Sequence, residues 1–296
     1  MKVDDNFRLG GLRRRSGRPT IVDVANLAQV ATTSVSRFLR NPDLVSLKLR
    51  ERIDTAIKEL GYAPDPSARA LASTRADVIG VLVPSFTNNV FSDVIEGIYD
   101  ELGDSLLQIQ LANTHYSHIE EERLLRMFIS QRPSALIVAG IDQSTVAREL
   151  LEDAGCPVVQ IMELGADPVD MLVGFSHLDA GRCATQHLID AGYQRICFIG
   201  ARMDPRSQRR MEGYRQAMQE TGLFSEDLVT TTTTPSSIPL GSWLLAEALR
   251  KAPDIDAVFC NNDDLALGVL FESQRRCIRV PDQMGISGFN DLDMMH

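Results

Sequence analysis

The chain has 296 residues, 44% apolar and 24% charged, with a formal net charge of −10, and is long enough for a small module plus a large two-lobed domain. No apolar run approaches the roughly 20 residues of a membrane-spanning helix and the polar start has no apolar signal core, so a cytoplasmic protein is expected. Charge is unevenly divided: residues 1–75 hold 14 Lys+Arg against 8 Asp+Glu, the remaining 221 hold 16 against 32, and only the basic part suits nucleic acid.

Residues 1–17 carry Arg13-Arg14-Arg15 without periodicity and read as a flexible basic leader. From Thr20, an N-cap candidate, Ile21, Val24, Ala25 and Ala28 recur at helical spacing. Gln29-Val30-Ala31 then makes a turn short enough to hold two helices at a steep angle, with Val30 as its apolar plug. A second helix from Thr32 buries Val35, Phe38 and Leu39 and points Thr32, Thr33, Ser36 and Arg37 outward. Short polar side chains and one arginine at the start of a second helix suit the edges of bases in a major groove. Thr20 and Asn41 complete the candidate DNA-contacting set of this headpiece, and an ordinary solvated helix face is the alternative reading. Asn41-Pro42-Asp43 forms a turn, Ser46 caps a third helix with Leu49, Ile53, Ile57 and Leu60 inward, and Gly61 ends it. The headpiece thus spans residues 18–63, with a core small enough to leave little stability to spare.

Residues 64–75 contain two prolines and then a run too short for a stable helix in water, which makes a hinge segment. From Ala76 the pattern changes. Apolar runs at Val78–Val83, Leu106–Ala112, Ala135–Ala139, Pro157–Met162, Met171–Phe175, Ile196–Ala201, Ala257–Cys260 and Met284–Phe289 alternate with helical stretches. One such stretch, Val90 to Leu102, puts Val90, Phe91, Val94, Ile95, Ile98 and Leu102 on one face. The alternation predicts an α/β fold of two doubly wound parallel-sheet lobes over residues 76–296, with ligands beyond the carboxyl ends of the strands. Glu163, Asn262 and Asn290 follow such strands, although turn formation or strand-end capping explains the asparagines equally well. Arg202, Arg206, Arg209 and Arg210 cluster where a loop enters a helix of this acidic domain, which points to an anion, with a solvated surface loop as the alternative. The five cysteines are odd in number and widely spaced, which favours buried free thiols over disulfides or a metal site.

Asp23-Val24-Ala25, Val30, Ser34-Val35-Ser36-Arg37 and Gly61-Tyr62-x-Pro64 together resemble the headpiece signature of the lactose repressor (LacI) family of bacterial transcription regulators. Gln29 departs from it, standing where that family usually has glycine. The resemblance covers nearly the whole chain from Arg18 and implies an effector domain of periplasmic-binding-protein type. It implies a hinge that folds on DNA, with Leu71 wedged into the minor groove and Ala68 beside it. It also implies effector contacts at Asn88, Phe91 and Arg210, and places Asn290 where aspartate is usual; Arg206 is added as a partner for an acid sugar. Ser36–Pro42, Asn88-x-Val90-Phe91, Gly200-Ala201-Arg202-x-Asp204 and Val258–Ala266 resemble the gluconate-type repressors of that family. The expected protein is a homodimer on a palindromic operator, released by a small gluconate-like sugar acid that closes the lobes, with no cofactor and no metal. Family members continue beyond the position matching His296, so the closing elements of the lobes are expected to be missing. The alternatives are another sugar or nucleobase effector, a soluble sugar-binding protein without DNA binding, and an enzyme. The last lacks support, because there is no Gly-rich phosphate loop, no nucleophile elbow and no metal-spaced histidine cluster.

Overall fold

The computed structural model describes residues 19–63, 76–103 and 105–293, which fall into two compact units. The leader and the hinge positions Ala68 and Leu71 lie outside the described residues.

The first unit packs helices α1 (Ile21–Ala28), α2 (Thr32–Arg40) and α3 (Leu47–Leu60) around Val24, Ala25, Ala28, Val35, Ile53 and Ala56. Thr20 opens α1 with a capping box: its backbone N–H and hydroxyl both donate to the Asp23 carboxylate, at 2.8 and 2.7 Å. Ser46 precedes α3, but its side chain makes no capping hydrogen bond. A single 3-10 turn, Pro42–Leu44, fills the connection expected as a simple turn.

Gln29 adopts φ 52° and ψ 50°, the left-handed conformation that glycine occupies most cheaply. The Arg52 guanidinium steadies this corner by donating to the carbonyls of Ala28 (2.6 Å) and Gln29 (3.2 Å), two orphan acceptors at the helix end. Gln29→Gly should therefore stabilise the headpiece by about 1 kcal/mol, since a left-handed L-residue costs roughly 1–2 kcal/mol and part of the gain returns as glycine entropy. A lower midpoint for the headpiece melting transition in the variant would refute this.

In the second unit, one sheet takes the order β2-β1-β3-β4-β5, from β1 (Val78–Val83), β2 (Gln108–Asn113), β3 (Ala135–Ala139), β4 (Val158–Ile161) and β5 (Met171–Val173). The other takes β7-β6-β8-β9, from β6 (Ile196–Gly200), β7 (Val229–Thr231), β8 (Ala257–Cys260) and β9 (Gly285–Ser287). Every pairing is parallel. Two-residue alternation sends Leu82 of β1 with Leu136 and Val138 of β3 to one face, against Leu125 and Phe128. Ile79, Val81 and Val83 point to the other face, against Phe91 and Ile137. Both faces are thus covered by helices, as the continuous apolar runs require.

The helices of this unit are α4 (Asn89–Leu102), α5 (His118–Ser130), α6 (Thr145–Glu152), α7 (His177–Asp190), α8 (Pro205–Glu220), α9 (Ile238–Lys251) and α10 (Asp263–Arg275). On α4 the expected apolar face is only partly covered: Phe91 is buried, while Val94, Ile95 and Ile98 are half-buried. In the second lobe α7 packs on α8 and α9 on α10 with backbones in direct contact. A Cβ at Gly213 would collide with the Leu178 carbonyl, and one at Gly268 with the Ile238 carbonyl. The expectation of buried thiols holds for Cys197 and Cys260 alone; Cys156 is half-buried, and Cys183 and Cys277 are exposed.

Candidate functional site

Parallel strands in both lobes end at a common cleft holding a cavity of about 200 Å³. The helices that leave these strand ends begin with polar caps, which brings polar side chains to the cavity for local reasons. Asn88 Oδ1 accepts from the Val90 N–H (3.3 Å), Asp204 Oδ1 from Ser207 (3.0 Å) and Asn262 Oδ1 from Leu265 (3.1 Å). The α4, α8 and α10 N-termini consequently lie around one space, an arrangement that favours negative charge.

Asn88, Phe91, Arg206, Arg210, Asn262 and Asn290 all line the cavity, as expected from the sequence. Glu163 is the correction, because it is not a cavity-lining residue. It is 1% exposed and its Oε2 accepts from Arg209 Nη1 at 3.0 Å. Asp142, beyond β3, also binds Arg209, at 2.8 and 2.5 Å. Arg209 belongs to the second lobe and both carboxylates to the first, so this trio is an ion-paired bridge between lobes.

The arginine cluster therefore divides by helical geometry. Positions 206 and 210 are one turn apart on α8 and about 40° apart around it, whereas 209 lies on the far side of 206, about 100° from 210. Arg210 donates from Nε to His177 Nδ1 (3.0 Å) and from Nη1 to the Asn261 carbonyl (2.5 Å), and its guanidinium lies 3.6 Å from the Phe289 ring centroid. These partners are all neutral. Burial away from water, reinforced by the nearby Arg206, lowers its pKa to about 9, so it stays charged at neutral pH while lacking a carboxylate bound to it. Arg206 is similarly enclosed, with 13% of its side chain exposed; the closest carboxylate oxygen, on Asp204, is 4.0 Å away.

Sequence reasoning missed Tyr116, Met162, Phe175, Asn261 and Phe289 as further lining residues, while Arg202 of the expected arginine cluster lines the cavity too. Asn261 is 2% exposed and ties three segments together: its Nδ2 donates to the Ala201 carbonyl (3.1 Å) and to Ser207 Oγ (2.9 Å), and its carbonyl receives Arg210. The strand-end rule that found Asn262 could have found Asn261. Phe289 was within reach of the same rule, but Tyr116 and Phe175 become relevant only through tertiary packing. Tyr116, Met162, Arg202 and Met203 all have φ between 52° and 68°, and the left-handed backbone thus recurs around the cavity.

His177 also escaped the sequence reading. Because Arg210 Nε can only donate, His177 Nδ1 is the acceptor, and its Nε2–H donates to the Met162 carbonyl at 2.9 Å. Burial, with the positive charge of Arg210, pushes its pKa down from 6.5 to about 3. Folded protein then binds fewer protons than unfolded protein between those values. The stability this group contributes is complete above about pH 6.5 and is lost as pH falls toward 3. Acidification from pH 7 to 5 should lower the urea midpoint of the second unit, by at most about 1.4 kcal/mol per pH unit from this group. His177→Gln should flatten that slope, and an unchanged slope would exclude His177 as its source.

On the headpiece, Thr32, Thr33 and Arg37 are exposed on α2 as expected, whereas Ser36 is half-buried. Thr20 and Asn41 are exposed, but each also serves as a cap: Thr20 for α1, and Asn41 Oδ1 for the Asp43 N–H at 3.2 Å.

Residues 20–65 match the family model for bacterial regulatory proteins of the lacI family, and residues 76–295 match that for periplasmic binding proteins and the sugar-binding domain of the LacI family. The HTH-type transcriptional regulator GntR of Pseudomonas aeruginosa is 40% identical over 94% of this chain and 81% of its own length. The GntR regulator of Escherichia coli K12 is 38% identical over 94% and 83%. The crystal structure of a LacI family transcriptional regulator from Silicibacter pomeroyi superposes with a TM-score of 0.84 at 39% identity, covering 93% of this chain and 83% of that one. Both units and nearly the full length therefore agree on one assignment: the chain belongs to the LacI family of bacterial regulatory proteins.

Proposed function

We propose that this regulator is a cytoplasmic repressor that binds a palindromic operator as a homodimer and is released by a small sugar acid of the gluconate type. Its headpiece would span residues 18–63, its hinge 64–75 and its effector and dimerisation domain 76–296. The single observation that carries the effector reading is Arg210, an enclosed guanidinium whose protein partners are all neutral. A carboxylate supplied by a ligand completes such a site, while hydroxyls find the amides of Asn88, Asn262 and Asn290, which line the same cavity. On the DNA side, Arg37 is the proposed reader of guanine, Thr32, Thr33 and Ser36 its neighbours on α2, and Thr20 and Asn41 the contacts to backbone phosphates. Ala68 and Leu71 would enter the minor groove when the hinge orders on DNA. Exposed Trp243 and Phe271, on the adjoining helices α9 and α10, support association with a second copy. Among the described residues no helix is long and apolar enough to cross a membrane. The cavity works here as a sensor, with no catalytic role.

Effector and operator must be coupled reciprocally: the ligand weakens DNA binding only by the difference in its affinity for the two lobe arrangements. The direct test is fluorescence anisotropy of the full chain on its own promoter DNA at fixed salt, with and without gluconate. Specific binding that gluconate weakens is the expected result. Specific binding indifferent to gluconate would refute the effector, and no preference for promoter over unrelated DNA would refute the operator reading.

A further inference from the structure

The cavity has two positive poles. One is Arg210, lodged on the Phe289 ring. The other surrounds Tyr116: the Arg202 guanidinium carbon is 4.0 Å from that ring's centroid and the Arg206 carbon 6.0 Å, with Arg206 also 5.6 Å from the Phe91 ring. Among the described residues, neither Arg202 nor Arg206 has a carboxylate within hydrogen-bond distance. Asp204, the acidic residue of that pole, is 4.0 Å from Arg206 and already accepts the Ser207 N–H as a helix cap. Asp204 offsets one charge of the Tyr116 pole, and Asp204 and Glu163 act on Arg210 through space, but neither carboxylate hydrogen-bonds to an arginine of the two poles. The other carboxylates nearby, Asp142 and Glu163, both point at Arg209. A ligand with a single carboxylate pairs with one pole and leaves the guanidinium donors of the other without an anion to hold them.

We infer that the effector is a doubly anionic sugar acid, with a carboxylate at one end and a second anionic group, carboxylate or phosphate ester, at the other. The inference rests on the sugar-acid reading above and narrows it. Aromatic faces suit both poles, because guanidinium groups stacked on Tyr116 and Phe289 are held in plane, which orients their remaining N–H donors toward an oxyanion. The poles differ in capacity. Arg210 already spends two N–H groups on His177 and Asn261, which fits a carboxylate, whereas Arg202 and Arg206 together offer more donors and accept a phosphate ester as readily.

The test is calorimetric titration of the full chain at fixed salt in phosphate-free buffer. The probes are gluconate, glucarate, gluconate 6-phosphate and, as a control for a lone ion, inorganic phosphate. At least one of glucarate and gluconate 6-phosphate should bind about 10-fold or more tightly than gluconate, because the second pole adds charge-assisted hydrogen bonds. The arm that shows the gain identifies the second group. Arg202→Gln should shrink the ratio of that probe's affinity to gluconate's, whichever way the absolute values move. Gluconate binding as tightly as both glucarate and gluconate 6-phosphate would overturn the inference and leave the sugar-acid effector standing. Phosphate alone binding as tightly as the phosphorylated acid would overturn it as an adventitious ion only. No binding by any sugar acid would overturn the underlying reading and this one with it.

Discussion

Arg210→Met should raise the gluconate concentration needed to release the repressor from its operator by about 100-fold or more. The substitution keeps an unbranched side chain against Phe289 but removes the charge and both hydrogen bonds, to His177 and the Asn261 carbonyl. Charge-assisted hydrogen bonds contribute roughly 1.5–3 kcal/mol each, so a two-pronged contact to an effector carboxylate should be worth a loss of about 100-fold or more in affinity. Arg210→Lys should recover little of it, because an ammonium cannot reproduce the planar fork. Anisotropy with and without effector reads the result, and far-ultraviolet circular dichroism confirms that the variant is folded. Ordinary release by gluconate in Arg210→Met would remove Arg210 from the effector site.

The second large effect is structural. Gly213→Ala should destabilise the effector domain by about 3 kcal/mol or more, because the new Cβ meets only backbone: the Leu178 carbonyl, the Arg182 N–H and the Gly181 carbonyl carbon. Backbone in a packed helix cannot rotate aside as a side chain could. The α7–α8 pair must separate instead, and Arg210 moves with it, since Gly181 of α7 lies directly against the Arg210 backbone. A fall of about 10 °C in the melting midpoint of a domain this size follows. A fall of less than about 3 °C would show that the two helices can part cheaply.

Much of this architecture was legible because parallel strands buried on both faces are continuous apolar runs. Ala135–Ala139 and Ala257–Cys260 match β3 and β8 to the residue. β7 was not legible. Val229, Thr230 and Thr231 lie at the edge of their sheet, where one neighbour suffices and the side chains carry no apolar pattern. The headpiece was readable down to its anomaly, since Gln29 in a glycine position does adopt a left-handed backbone. At the cavity, residues that follow a strand and cap a helix could be named in advance, because strand ends and caps are local. Glu163 follows a strand too, yet its side chain turns to Arg209 of the other lobe, and no local pattern records where the second lobe will lie. His177 was invisible for the same reason: its tautomer and its charge are set by Arg210 and Met162, 33 and 15 residues away.

The Arg209 bridge has a consequence for tuning. Protein groups alone supply that link, so it favours approximated lobes by the same amount at every effector concentration. A bias of this kind multiplies the competent fraction, and the midpoint of the dose–response curve moves inversely with it. A change at Asp142, which does not line the main cavity, would then shift the threshold of induction while leaving the cavity's own lining side chains in place. Sensitivity and selectivity are thereby separable in this repressor, and one can drift under selection while the other is held.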